Sequence, residues 1–341
     1  MGIKKLSTLF KRHIKKGIKE VELSTFASKI LAIDISTYLY QLLYNDNLYN
    51  GLIRQCILLM QNNITPIYIF DGRPTKAKIE NTIIKRKEKQ KENEEKVEEL
   101  KEQINTLAIN EEEQINTSTI IEEENNNKKQ IEDKLNKMQK TVSCVPTREH
   151  ILKCQEMFKC LGIPYIEARG EADILCGKLC KEGIVDGVIS EDYDMTTFGC
   201  NIFIRGIFNK VTVYNLEEIL QELELTYTQY VDMCILAGCD YTTTIQRIAI
   251  IGAYENIKKY KTIEKIIETI DKKRIPDTFD YNNARNIFLH CSQNEEDIKR
   301  CDIKLKEINY IALTNFMQDN NIYSKITIDK LKKCGKDNII F

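Results

Sequence analysis

Four short apolar runs along the chain each end in an acid: Lys29 to Asp34 (KILAID), Ile64 to Asp71 (ITPIYIFD), Ile163 to Glu167 (IPYIE) and Val185 to Asp192 (VDGVISED). Between them lie segments with apolar residues at helical spacing, at Leu39 to Met60, Arg148 to Leu161 and Glu171 to Lys181. Strands alternating with helices of this length predict an α/β fold, a parallel sheet covered by helices, which binds ligands at the carboxyl ends of its strands. After Tyr214 the pattern turns helical, at Leu216 to Leu223, Tyr227 to Leu236, Ala253 to Tyr260 and Ile263 to Ile270, and predicts a helical lobe beside the sheet. Residues beyond Ile275 read as further helices without an assignable motif, and no internal repeat is present.

The polar stretches divide the chain. Lys85 to Glu102 carries 7 basic and 7 acidic residues and reads as a long solvated helix laced with (i, i+4) pairs. Gln103 to Asn127 has acids and an Asn run but no Lys or Arg, the composition of a disordered low-complexity insertion. The expected organisation is an N-terminal α/β region with a basic helix (1–102), an insertion and cap (103–143), an internal α/β region (144–214), a helical lobe (215–275) and a C-terminal helical extension (276–341).

Composition adds little chemistry. With 341 residues, 42% apolar and 30% charged, the chain can bury a sizeable core. No run approaches a membrane span, the N-terminus is Lys-rich rather than signal-like, and Leu6 stands where myristoylation wants Ser or Thr, so an intracellular protein without lipid anchor is expected. Twelve Cys contain no Cys-x-x-Cys, and His13, His150 and His290 are isolated, so buried thiols are expected rather than zinc or disulfides. A net charge of −1 shows no global basic excess.

The acids at or just beyond the strand ends are Asp34, Asp71, Glu171, Asp173, Asp192 and Asp194, joined by Asp240 in the helical lobe. Hard oxygen donors without His or Cys suit Mg²⁺, or Mn²⁺ in its place. In Glu-Ala-Asp and Asp-Tyr-Asp, acids two apart can point at one pocket while the residue between packs away. So many carboxylates in one site need cations to offset their repulsion, and two ions roughly 4 Å apart suit in-line displacement at a phosphodiester. Any one of these acids alone would pass for a solvated loop residue; jointly, most of them directly follow an apolar run.

These motifs resemble the flap endonuclease branch of the 5′-structure-specific nuclease family, which also includes XPG-type and exonuclease-type enzymes. The resemblance runs through Met1-Gly2-Ile3, LAIDIS (31–36), YIFDGRP (68–74), GEAD (170–173), SEDYDMTTFG (190–199) and CILAGCDYT (234–242), covering roughly residues 1–100 and 144–270. It implies a PIN-like nuclease core with a helix-two-turn-helix lobe. The implied reaction is two-metal cleavage of DNA at 5′ flaps and single-strand/duplex junctions, with no side-chain nucleophile and a 5′-phosphate product. Asp34, Asp71, Glu171 and Asp173 would serve the first metal, and Asp192, Asp194 and Asp240 the second. Lys78 with either Lys85 or Arg86 matches the family's basic gateway. Tyr40 stands where relatives stack a base, although a core tyrosine in an apolar helix fits as well. Gly2, Tyr40, Lys78, Lys85, Arg86 and Arg247 are the implied DNA contacts.

The match frays in places. IQRIAII (245–251) puts Arg247 and Ala249 where the family's ion-binding hairpin has glycines. This puts a bound monovalent ion in doubt and leaves Arg247 as a direct phosphate contact. The connection from Tyr40 to Asp71 is short for a 3′-flap pocket, and the end KDNIIF shows no sliding-clamp peptide. A monomer is expected, nuclear in a cellular setting and cytoplasmic if from a cytoplasmic DNA virus. A 5′-to-3′ exonuclease of the same family is the close alternative. An inactive DNA-binding scaffold and a PIN-type ribonuclease are the more distant ones. The seven site acids and the six acids of Gln103 to Asn127 leave the rest of the chain at +12, a basic framework around an acidic centre.

Overall fold

A computed structural model describes residues 2–113, 118–208, 210–290 and 303–337. In chain order, the first part comprises α1 (Leu6–His13), β1 (Ile18–Glu22), β2 (Ile30–Asp34), α2 (Ser36–Tyr44), α3 (Leu48–Gln61), β3 (Thr65–Phe70) and α4 (Lys76–Lys78). A single π-turn, Ile79–Ile83, joins α4 to α5 (Ile84–Glu113). There follow α6 (Ser118–Ser143), α7 (Arg148–Leu161), β4 (Tyr165–Glu167), α8 (Ala172–Lys181), β5 (Gly187–Ile189), α9 (Asp194–Thr197), β6 (Ile202–Arg205) and β7 (Lys210–Asn215). The remainder is helical: α10 (Leu216–Leu223), α11 (Tyr227–Ala237), α12 (Ile250–Tyr260), α13 (Ile263–Thr269), α14 (Tyr281–His290), α15 (Tyr310–Asp319) and α16 (Lys325–Asp337).

Seven strands form one sheet in the order β1-β7-β6-β5-β2-β3-β4. The four predicted strands are β2 to β5. They pair in parallel; β2, β3 and β5 are buried on both faces, as continuous apolar runs require, whereas β4 is a partly exposed edge strand. The expected parallel, helix-covered sheet is present, and it is extended by β6–β7 and β7–β1, which pair antiparallel. Side chains alternate between two cores. Ala32, Ile67, Ile69, Val188 and Phe203 join the helical lobe and α8, whereas Leu31, Ile33, Tyr68, Phe70, Ile189 and Ile204 join α2, α3, α7 and the last two helices.

Two other expectations change. Leu39 to Met60 is not one helix: it breaks at Asn45-Asp46-Asn47, where Asp46 takes φ +51. Gln103 to Asn127 was expected to be disordered, yet α5 runs through it to Glu113 and α6 starts at Ser118, with 114–117 outside the described residues. The two helices pack against each other as a helical arm. The ten described cysteines are free and, apart from half-buried Cys144, buried, whereas Cys291 and Cys301 lie outside the described residues. No described helix is long and apolar enough to cross a membrane.

Candidate active site

After β2 and β3 the chain continues outward to β4, then crosses back to β5 on the other side of β2. That reversal opens a crevice at the carboxyl ends of the strands. Into it come Asp34 from the end of β2, Asp71 just past β3, Glu171 and Asp173 at the start of α8, and Asp192 and Asp194 past β5. Asp240 reaches it from the loop after α11.

Backbone donors and hydroxyls fix these carboxylates. Asp34 accepts from Ser36 N at 3.0 Å and from the Ser190 hydroxyl at 3.1 Å, and Asp71 accepts from Ala172 N at 2.8 Å and from the Ser36 hydroxyl. Glu171 accepts from Thr75 N at 3.0 Å, the Tyr241 hydroxyl at 2.8 Å and Lys78 Nζ at 2.6 Å. Asp194 accepts from Ile3 N at 2.5 Å. Gly2 crosses the acids so closely, at φ +82, that a Cβ there would lie 2.1 Å from Asp192 Oδ1 and 2.2 Å from Asp194 Oδ1. Ser36, Ser190, Thr75 and Tyr241 escaped the sequence reading. The sequence signal for Ser36, Ser190 and Tyr241 is only a hydroxyl within two residues of a site acid, and Thr75, four residues after Asp71, lacks even that.

The electrostatics are those of crowded, dehydrated anions. Burial, then the neighbouring Asp71, pushes Asp34 up to about 6. Burial also raises Asp173, Asp192 and Asp194, with Asp34 adding to the rise of Asp173 and Asp192 to that of Asp194. Burial would raise Glu171 too, but the Lys78 ammonium and its hydrogen bonds hold it below the ordinary range. Lys78, reciprocally, is held above its ordinary value against its own burial by Asp173 and Glu171.

Lys78 lies 3.8 Å from Asp173. Arg86 Nη2 donates to Asp240 Oδ2 at 2.9 Å. Of Lys85 and Arg86, Arg86 is the one that the structure brings to an acid. Seven residues make two α-turns, but the π-turn inserts an extra residue, so the position eight after Lys78 comes round to its face. Lys85 and Arg86 both line a cleft of about 650 Å³ with Gly2, Lys4, Lys5, Lys89, Asp240 and Thr242–Thr244. Tyr40 is 47% exposed on α2, so it is not a core tyrosine. Arg247 is exposed at φ +62 before α12 and does not line the cleft.

An oxygen-only donor set fits Mg²⁺, and Asp173 Oδ1 is a buried carboxylate oxygen without a hydrogen-bond partner, as a ligand to a hard cation would be. Among the described residues no three His, Cys, Asp or Glu side chains converge on a single point, and Lys78 and Arg86 occupy carboxylate oxygens that a cation would otherwise take.

Residues 1–93 match the XPG N-terminal domain and 162–240 the XPG I-region. Flap endonuclease 1 of Cryptosporidium muris is 31% identical over 361 residues, covering 96% of this chain and 71% of the relative; that of Glycine max is 32% identical, covering 97% and 85%. Among solved structures, flap endonuclease-1 from Methanococcus jannaschii superposes with a TM-score of 0.66 at 21% identity, covering 96% of this chain and 98% of that one. The catalytic core of Rad2 in complex with DNA substrate gives 0.68 at 20% identity, again covering 96% and 98%.

Proposed function

The chain belongs to the flap endonuclease family of XPG-type nucleases, hydrolases of DNA phosphodiesters, and from this premise we propose that it cuts DNA at the junction of a 5′ single strand and a duplex. The observation that carries this reading is the gathering of seven acids around one crevice, faced by Lys78 at the end of α4 and Arg86 in α5.

When bound, two divalent ions there would place positive charge on the scissile phosphate and lower the pKa of the attacking water. Asp34, Asp71, Glu171 and Asp173 would hold one ion, and Asp192, Asp194 and Asp240 the other. Lys78 and Arg86 would let go of carboxylate oxygens as the ions enter and turn to the phosphate, stabilising charge that grows in the transition state. Tyr40, exposed on α2, the helix that follows Asp34 in the chain, offers a ring for the nucleotide next to the cut. Arg247 would contact the duplex backbone from the helical lobe; Arg247→Ala should weaken duplex binding and lower its salt dependence by about one ion.

The test is cleavage of end-labelled flap, nicked and blunt DNAs with Mg²⁺, beside the same RNA. Oligonucleotide products from the flap substrate, lost in Asp192→Ala while binding persists, are expected. Mononucleotides alone would assign the exonuclease reading instead, and metal-dependent cleavage by Asp192→Ala would put the site elsewhere.

A further inference from the structure

In the segment leaving β5, the acids and their neighbours part company. Ser190 donates its hydroxyl to Asp34, Asp192 Oδ1 accepts from Asp194 N at 3.3 Å, and Asp194 meets Ile3, all on the crevice side. Glu191 and Tyr193, which alternate with these residues, both end on the guanidinium of Arg205, the last residue of β6. Arg205 Nη2 donates to Glu191 Oε2 at 2.9 Å, and Nη1 donates to the Tyr193 hydroxyl. The guanidinium carbon lies 4.5 Å from the centre of the Tyr193 ring. Gly206 N donates to the other Glu191 oxygen at 3.1 Å. Tyr193 is wedged edge-on against Phe10, Phe203 and Tyr214. The Arg205 and Glu191 side chains are 30% and 24% exposed, so solvent screens this pair less than a surface pair.

We propose that Arg205 is a positioning residue for the metal-binding acids: by clamping Glu191 and Tyr193 it holds Asp192 and Asp194 in the crevice. The proposal rests on the metal-dependent reading above and deepens it. Without metal, Asp192 and Asp194 repel each other, and burial disfavours both anions. The cheapest relief is for the loop to swing its carboxylates into water, and a clamp on the residues either side of Asp192 prevents that. A planar fork can hold a carboxylate and a phenol at once, with its face over the ring, and a lysine cannot. Arg205 touches neither substrate nor ion in this role.

The experiment titrates Mn²⁺ into metal-free wild type, Arg205→Met, Arg205→Lys, Glu191→Gln and the Arg205→Met/Glu191→Gln double variant by calorimetry. Alongside, flap affinity is measured in Ca²⁺ and single-turnover cleavage across a Mn²⁺ series. Each of Arg205→Met and Glu191→Gln is expected to weaken Mn²⁺ binding roughly tenfold, as loss of support around a metal ligand does. Slower cleavage that high Mn²⁺ restores, unchanged DNA affinity, an intermediate Arg205→Lys, and a double variant no worse than the worse single complete the expected pattern. Unchanged Mn²⁺ isotherms, or lost DNA affinity with intact Mn²⁺ binding, would overturn the inference. If Arg205→Met fails to fold, the nearly isosteric Glu191→Gln decides. Failure of wild type to cut DNA with any divalent metal would overturn the nuclease reading, whereas a Mn²⁺ defect confined to the variants would still establish the clamp.

Discussion

Gly2 and Asp34 set the sharpest expectations for single side chains. A methyl group at Gly2 has no room beside Asp192 and Asp194, and the positive φ disfavours it further. Gly2→Ala should therefore slow cleavage at least about tenfold and lower the thermal midpoint by a few degrees, through strain stored where the acids sit. For Asp34, a folded pKa of about 6 against an unfolded value near 3.8 means that the folded state binds the proton more tightly. Its contribution to stability is present below the unfolded value and is lost as pH rises through about 6. Metal-free Asp34→Asn should thus be more stable than wild type at pH 7.5 by up to about 3 kcal/mol, with the gain vanishing near pH 4 and cleavage abolished. Melting curves in chelator at the two pH values check this; equal midpoints at pH 7.5 would refute it. Such acids are legible in a sequence because the chemistry demands one residue type at the end of an apolar run. Their partners Ser36, Ser190 and Tyr241 are not, because hydroxyl residues occur everywhere and the Ser190 and Tyr241 bonds span 156 and 70 positions.

At the scale of elements, the joint between α4 and α5 deserves its own perturbation. Deleting exposed Glu80 should convert the π-turn to regular α-helix and leave Arg86, then seven residues after Lys78, on the same face, so cleavage should stay close to wild type. Arg86→Ala should instead lower cleavage by about 10² or more, the cost of losing a preorganised charge on the transition state, while helix content by circular dichroism is unchanged. An Arg86→Ala variant that cuts normally would show that Arg86 has no part in the reaction. Spacing alone left Lys85 and Arg86 equivalent, because a local excess of one residue per turn leaves no trace in composition. The strands that escaped notice have similar reasons. β1 reads Ile-Lys-Glu-Val-Glu with three exposed positions, β6 has only four residues, and β7 interrupts its apolar positions with Lys210, Thr212 and Asn215, so none shows the apolar runs that marked β2 and β3. The predicted helix Leu39 to Met60 showed continuous periodicity across a break that only the positive φ at Asp46 reveals.

For the whole molecule, the last two helices have a role that their sequence did not declare. Leu313, Phe316, Met317, Ile328 and Leu331 are buried in the same core as α2, α3 and α7, not in the helical lobe that precedes them in the chain. Leu331→Ala should cost about 2–4 kcal/mol, read as a lower urea midpoint of the nuclease core. The near-neutral total charge likewise conceals a division, since the site acids and the acidic stretch of the arm offset a basic remainder. The core shared by α3 and α16 also has a consequence during synthesis. The ribosome releases α3 some 270 residues before α16, and at about 5–20 residues per second the nascent chain waits roughly 15–60 s with one face of its sheet lacking its final cover. Over that interval an apolar surface built of Leu, Ile and Phe is open to chaperones and proteases, so the maturation of this nuclease waits on α15 and α16.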